Sequence, residues 1–337
     1  MVFKTIYQIK DKIVKNIIID VLIAVILISV LQSDLFAQEK LKIAVVPKSK
    51  SALFWKSTLV GAKLGALAIS GVEIIWTAPL SESDKEQQIS IVEQCIADNV
   101  AGIILSPIHQ DALASSVSKA MKKKIPVIIF DSPLKGVPGK DFICYIGIDN
   151  RKAGYRAGEH LVKLLGNKGK VVLLRYVKGQ ANTTEREEGF LEAIAKHQNI
   201  QVTMKDQYTG GSVDEAKKVC QNLMSQIREA DGIFCPNEQS TIGMLLALQE
   251  ANITDKIKFV GFDTPALAVE ALKKGQIDAL IAQDPSRMGY FGVKTIVDHI
   301  RGKKVPTKID IDVSVVTRDN LNDPNIQKLL SLPSTSE

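Results

Sequence analysis

Asp263 closes a short apolar run. Lys258–Gly261 reads as a buried strand, Phe262-Asp263 follows directly, and Pro265 is placed to open a helix at its first turn. A carboxylate at that point can accept two hydrogen bonds from neighbouring hydroxyls, and an aromatic can cover an apolar ring face. The plainer reading is a helix cap, Asp263 or Thr264 ahead of Pro265, beside a core Phe. Similar residues end the other apolar runs. Lys48, Phe54 and Trp55 follow Leu41–Val46, Ser106 and His109 follow Ala101–Leu105, and Asp131 and Ser132 follow Pro126–Phe130. Further on come Gln180, Asn182 and Arg186, then Tyr208, then Asn237 and Glu238, then Gln283 and Asp284. Planar, bidentate groups with several aromatics suit a neutral polyhydroxyl ligand, whose hydroxyls donate and accept and whose ring presents C–H faces.

The same set holds no reaction centre. His109 and His197 have no Ser or Cys partner at a strand end, and there is no GxSxG elbow and no HExxH spacing. The first loop, Pro47–Ala52, lacks glycine, so neither a dinucleotide fingerprint nor a P-loop is present. The residues therefore point to binding without chemistry: no catalytic residue, metal or cofactor is expected, and the chain is not read as an enzyme. Nucleic acid finds little to bind, because the net charge of +6 is spread thinly and Lys122-Lys123-Lys124 sits where a helix ends.

These residues need elements that bring them to one place. From Leu41 onward, Val- and Ile-rich strands alternate with helices, which means βαβ units and parallel sheets. About eleven strands exceed one comfortable open sheet, so the expectation is an α/β chain of two doubly wound parallel-sheet lobes, switching near Gly147–Asn150. In such sheets ligands lie beyond the carboxyl ends of the strands, where the polar residues above converge. Ser83–Glu86 reads as a capping box for the second helix, and Ile309–Val316 as a last extended segment ahead of a polar tail. Residues 1–37 read as a secretory signal: four Lys lead, Ile17–Leu31 is apolar, and Gln32–Ala37 ends on a small residue. An uncleaved anchor is the alternative, since Leu35 departs from the small-residue rule. Without that segment the charge becomes +5. Cys95, Cys144, Cys220 and Cys235 show no CxxC spacing and lie in apolar patterns. Export permits a bridge, for which Cys220–Cys235 is the pair to test.

Phe54-Trp55 with Gly61-Ala62, Gly147–Asn150, Glu185–Phe190, Asn237-Glu238, Val260–Asp263 and Ile281–Pro285 occur in one order that covers nearly the whole chain after residue 40. In these motifs the chain resembles the type I periplasmic sugar-binding proteins, the ribose-binding family that feeds ABC importers. The resemblance implies two lobes joined by a three-crossing hinge, with residues 41–148 and 284–308 in the first lobe, 149–283 and 309–320 in the second, and 321–337 as a tail. It implies ring contacts from Phe54, Trp55 and Tyr208. It also implies hydroxyl contacts from Asp131, Arg186, Asn237, Asp263 and Gln283, with Lys48 and Ser106 at the same site. Two departures, Ser106 and Ser132 where ribose binders carry Asn and Arg, point away from ribose and towards a larger or differently substituted ligand. Lys48 has the reach for a hydroxyl or an acidic substituent.

Each residue has a plainer role to set against that one. Trp55 can anchor the first helix, Arg186 can pair with Glu185 or Glu187, Asn237 can cap a helix and Asp131 a turn. His109, Glu238 and Asp284 read as structural or solvated. The function expected is an exported, monomeric receptor that captures a monosaccharide or polyol and delivers it to ABC permease subunits in the periplasm. The alternative is a receptor presenting ligand to a membrane sensor. A repressor using the same effector lobes is disfavoured, because the apolar segment stands where its basic helix-turn-helix belongs.

Overall fold

The computed structural model describes residues 40–331 together with Ile19, Val21 and Leu22. Apart from those three residues, the expected signal segment lies outside the described residues, as do the last residues of the tail. None of the described helices is long and apolar enough to cross a membrane.

The chain begins with β1 (Leu41–Val46), α1 (Leu53–Ile69), β2 (Val72–Trp76), α2 (Lys85–Ala97), β3 (Gly102–Leu105), α3 (Ala114–Lys122), β4 (Val127–Phe130) and β5 (Cys144–Gly147). A second series follows: α4 (Asn150–Leu164), β6 (Gly169–Arg175), α5 (Ala181–Ile194), β7 (Ile200–Tyr208), α6 (Val213–Asn222), α7 (Met224–Ile227), β8 (Gly232–Phe234), α8 (Glu238–Glu250), β9 (Lys258–Phe262), α9 (Ala266–Lys273) and β10 (Ala279–Ala282). The chain then forms α10 (Pro285–Ile300), β11 (Lys308–Asp310), β12 (Ser314–Thr317) and α11 (Pro324–Leu330).

The strands form two six-stranded sheets, ordered β2-β1-β3-β4-β5-β11 and β7-β6-β8-β9-β10-β12. All pairings are parallel except β10 with β12. Central strands such as β3 and β4 are buried along their whole length, as a sheet covered on both faces requires. In the first lobe Val92, Cys95 and Val117 of α2 and α3 pack with Ala44 and Ile103, while Val293 and Ile296 of α10 lie with Ile43 and Ile104. In the second, Ala153, Leu161 and Phe190 of α4 and α5 pack with Val171 and Phe234, and Leu245 and Ala268 of α8 and α9 with Ile233 and Phe259.

Because α4 leaves the first sheet to cover the second, and α10 does the reverse, the chain crosses between lobes at Ile148-Asp149 and at Gln283-Asp284. The third crossing, which the resemblance puts near Ile309–Ile311, follows directly on β11. Ile309 pairs with Ile146 in the first sheet, Val315 with Ile281 in the second, and Ile311–Val313 run between. The sequence shows one extended stretch there because the backbone stays extended while its partner changes. The tail differs from expectation: Asp323 caps α11 through the N–H groups of Asn325 and Ile326, and Ile326 is buried against the second lobe's core. All four cysteines are free and buried, Cys220 and Cys235 among them. Burial pushes the thiols of Cys144 and Cys220 up to about 12.

Candidate ligand site between the lobes

The carboxyl ends of both sheets face each other across the cleft, which holds a small cavity of about 30 Å³. Its walls bring together Lys48, Phe54, Trp55, Asp131, Arg186, Asn237, Asp263 and Gln283, eight of the ten residues expected from sequence.

Two aspartates occupy matching places. Asp131 ends β4 and Asp263 ends β9, and both have left-handed backbone, at φ 60° and 65°. Asp tolerates that conformation better than most residues, and strained backbone of this kind clusters at ligand sites. The turn lets each N–H finish the ladder, to Ile146 O and Ile281 O at 2.9 Å, while the carboxylate swings into the cleft. One oxygen of Asp131, Oδ2, accepts from Ser106 Oγ at 3.0 Å and Asn182 Nδ2 at 3.1 Å. The other, Oδ1, stands 3.9 Å from Arg186 Nη2, too far for a hydrogen bond. Asp263 accepts from the Glu238 N–H at 2.9 Å and Gln283 Nε2 at 2.7 Å. Burial pushes the Asp263 carboxyl above its usual range, and the Arg186 charge partly offsets that.

Arg186 projects from α5, which packs closely on α4: a Cβ on Gly154 would stand 1.8 Å from the Arg186 carbonyl oxygen. Its guanidinium lies 3.9 Å over the Phe262 ring, a cation–π contact. It donates to Asn150 Oδ1 at 2.9 Å, Pro236 O at 3.0 Å and Gln283 Oε1 at 3.3 Å. Three of five N–H donors are thereby used, and neither Glu185 nor Glu187 is its partner. Glu187 instead accepts from Arg175 Nη1 at 2.7 Å. Phe262 is fully buried beneath the guanidinium.

Lys48 is buried, and burial lowers its pKa despite the nearby Asp131. Its ammonium donates to Gln180 Oε1 at 3.0 Å and Asn182 Oδ1 at 3.1 Å, and lies 3.3 Å from Asp131 Oδ2. Three donors meet three acceptors, and two of the three come from the opposite lobe. Asn237 lines the cavity and also caps α8, its Oδ1 accepting from the Ser240 N–H at 3.3 Å. Trp55 combines its two readings as well. It is nearly buried, lies edge-on to Phe54 at 4.7 Å and to Phe130 at 6.1 Å, and still lines the cavity.

Two expected residues stand elsewhere. Ser106 is fully buried behind Asp131 and does not line the cavity. Tyr208 is 43% exposed in a separate cleft with His109 and Arg175. β7 continues to Tyr208 as an edge strand, and its last residues turn to solvent.

Several lining residues were not singled out from sequence. Glu82 is the foremost. The second helix starts at Lys85 with Asp84 as its cap, so the expected Ser83–Glu86 box is not used and Glu82 is left in the cleft. It accepts from Trp55 Nε1 at 2.6 Å, Gln239 Nε2 at 3.0 Å and Tyr176 OH at 3.3 Å. Burial raises its pKa, with Lys48 as the main opposing charge. Tyr176, Thr183 and Gln239 also line the cavity, as do Gln180 and Asn182, which the sequence did place after a strand. Glu238, expected to be structural or solvated, lines it too and accepts from the backbone N–H groups of Leu53 and Phe54 at 3.3 Å each. Asp284 does cap α10, through the Arg287 N–H at 2.9 Å.

The arrangement provides paired carboxylates, a partly committed guanidinium, amides and an aromatic wall, and among the described residues no cluster of potential metal ligands. Residues 43–304 match the periplasmic binding protein domain. The ribose import binding protein of Haemophilus influenzae is 30% identical over 240 residues, covering 70% of this chain and 79% of that protein. Two solved structures share 30% identity. A carbohydrate transporter solute-binding protein from Agrobacterium radiobacter in complex with D-arabinose has a TM-score of 0.82, covering 87% of this chain and 99% of that one. An ABC transporter solute-binding protein from Agrobacterium vitis with bound D-fucose has a TM-score of 0.83, covering 86% and 99%. With its two lobes, three crossings and cleft, the chain belongs to the type I periplasmic sugar-binding protein family.

Proposed function

We propose that this protein is an exported receptor that captures a neutral monosaccharide or polyol between its lobes and delivers it to an ABC importer. The observation that carries the reading is the pair of left-handed aspartates, Asp131 and Asp263, facing one another around Arg186 beside Phe54 and Trp55. Asp131 Oδ1 and two N–H groups of Arg186 are left for hydroxyls, and the aromatic wall suits the ring's C–H face. The chain's relatives bind sugars, and their transport role supports delivery to permease subunits. Closure around the ligand would follow the usual hinge motion of such proteins.

The charge pattern narrows the class. Glu82, Asp131, Glu238 and Asp263 line the cavity against Lys48 and Arg186, and the Lys48 donors are already engaged. An acidic sugar would meet four carboxyl groups against two cations, of which Lys48 is fully engaged and Arg186 keeps two N–H donors. A neutral ligand is therefore favoured, and the acidic-substituent role considered for Lys48 is not. A charge-assisted hydrogen bond contributes about 1.5–3 kcal/mol, so Asp263→Ala is expected to weaken binding roughly ten- to a hundred-fold or more. Unchanged affinity in a calorimetric titration of that variant would remove Asp263 from the site.

A further inference from the structure

Helix α1 carries Phe54 and Trp55 at its start, yet it brings no cap of its own. Ala52 occupies the N-cap position in extended backbone, no side chain there accepts an N–H, and the first turn holds no acidic residue. Uncapped N-termini leave backbone donors without partners, and a buried one needs another acceptor. That acceptor comes from the other lobe. Glu238, the first residue of α8, reaches across the cleft, and its two carboxylate oxygens each take one N–H, from Leu53 and Phe54. The backbone N–H of Glu238 is in turn held by Asp263 Oδ2 at 2.9 Å, and Asp263 Oδ1 by Gln283. An unbroken chain of hydrogen bonds thus runs from the aromatic wall in one lobe to the strand-end carboxylate in the other.

We infer that Glu238 is a positioning residue for ligand capture: it caps α1 across the cleft, so that Phe54 and Trp55 are fixed against Asp263 only when the lobes are closed. Opening the cleft returns both N–H groups to water, where they are solvated at little cost. The cap therefore acts on the closed state alone. Glu82 makes the opposite reach, from the first lobe to Tyr176 OH and Gln239 Nε2 of the second. Each lobe thus sends one glutamate into the other. The inference rests on the capture reading only in requiring that the lobes open and close, so it is testable without knowing the sugar.

The test uses ligand-free protein with spin labels on Leu67→Cys of α1 and Leu267→Cys of α9, which are 78% and 44% exposed, while the native thiols are buried. Pulsed dipolar spectroscopy reads the ratio of closed to open distances. Loss of a helix cap is expected to lower that ratio about three- to thirty-fold in Glu238→Ala. Glu238→Gln keeps one carbonyl acceptor and should recover part of it. The melting temperature of the ligand-free protein should stay unchanged, because the open state never had the cap. An unchanged ratio, a lowered melting temperature with an unchanged ratio, or no closed population in the parent would each overturn the inference. A failed sugar screen would leave this ratio readable, so the two readings fail separately.

Discussion

At the scale of single residues, position on the strand ends matters more than residue type. Asp131 and Asp263 were legible because each follows a continuous apolar run, and the same reasoning found Asn237 and Gln283. It failed for Tyr208, where the sequence does not show how far an edge strand continues before its side chains face solvent. It failed for Glu82 because a glutamate among Ser, Asp and Lys reads as the polar start of a surface helix. Only the fold shows that Trp55 Nε1, Gln239 and Tyr176 surround it. These two residues make opposite predictions. Tyr208→Ala should leave ligand affinity unchanged in a titration. Glu82→Ala leaves Trp55 Nε1 and Gln239 Nε2 without their acceptor, while Tyr176 OH keeps Gly211 O; each unmade partner costs about 1–3 kcal/mol, so the change should weaken binding at least ten-fold. A loss with Tyr208→Ala, or none with Glu82→Ala, would reverse this placement of the site.

At the scale of elements, helix pairs decide where the functional side chains stand. The contact of α4 with α5 is backbone-close at Gly154, and it sets the height from which Arg186 reaches Gln283. Gly154→Ala would place a methyl 1.8 Å from a carbonyl oxygen and force the helices apart. Overpacking of this kind costs about 1–3 kcal/mol, so thermal denaturation should show a lower melting temperature, and an unchanged one would contradict the close packing. The start of α8 carries a pH dependence. Burial first, then the neighbouring Asp263, raises Glu238 from its ordinary 4.5 to about 7 in the closed cleft, with Glu82 adding to the rise. Lys48 and Arg186 line the same cavity. In the open protein the carboxyl is solvated and returns towards its ordinary value, so the closed form holds the proton more tightly. Protonated Glu238 still offers a carbonyl oxygen to the α1 N–H groups, so the proton-linked part of closure, as distinct from the cap, is fully present below about 4.5 and is lost as pH rises through about 7. Small-angle scattering of ligand-free protein should give a smaller radius of gyration at pH 5 than at pH 8, and the reverse order would refute the assignment. Alternating strands and helices were readable from Val and Ile runs between turn residues. The exchange of partner sheet at Ile311–Val313 was expected, near Ile309–Ile311, from the family resemblance alone, because an extended backbone looks the same in either sheet.

At the scale of the whole molecule, two sheets of equivalent strand order put their carboxyl ends face to face, and the crossings of α4 and α10 tie each lobe to the other's core. That geometry turns scattered single residues into one site. Motifs in the expected order carried this much from sequence, since they mark strand ends, and strand ends are where such a fold keeps its polar groups. Charge balance across the cleft depends on residues from both lobes and became visible only in three dimensions. It yields the account's central claim, that the ligand is small, polyhydroxylated and without negative charge. The most direct test is calorimetric titration of ligand-stripped protein with neutral monosaccharides and polyols, each paired with its corresponding sugar acid. The expected result is one-to-one binding of at least one neutral compound, with its acid bound at least ten-fold more weakly. Tighter binding of the acid, or no binding of any neutral compound, would contradict the account.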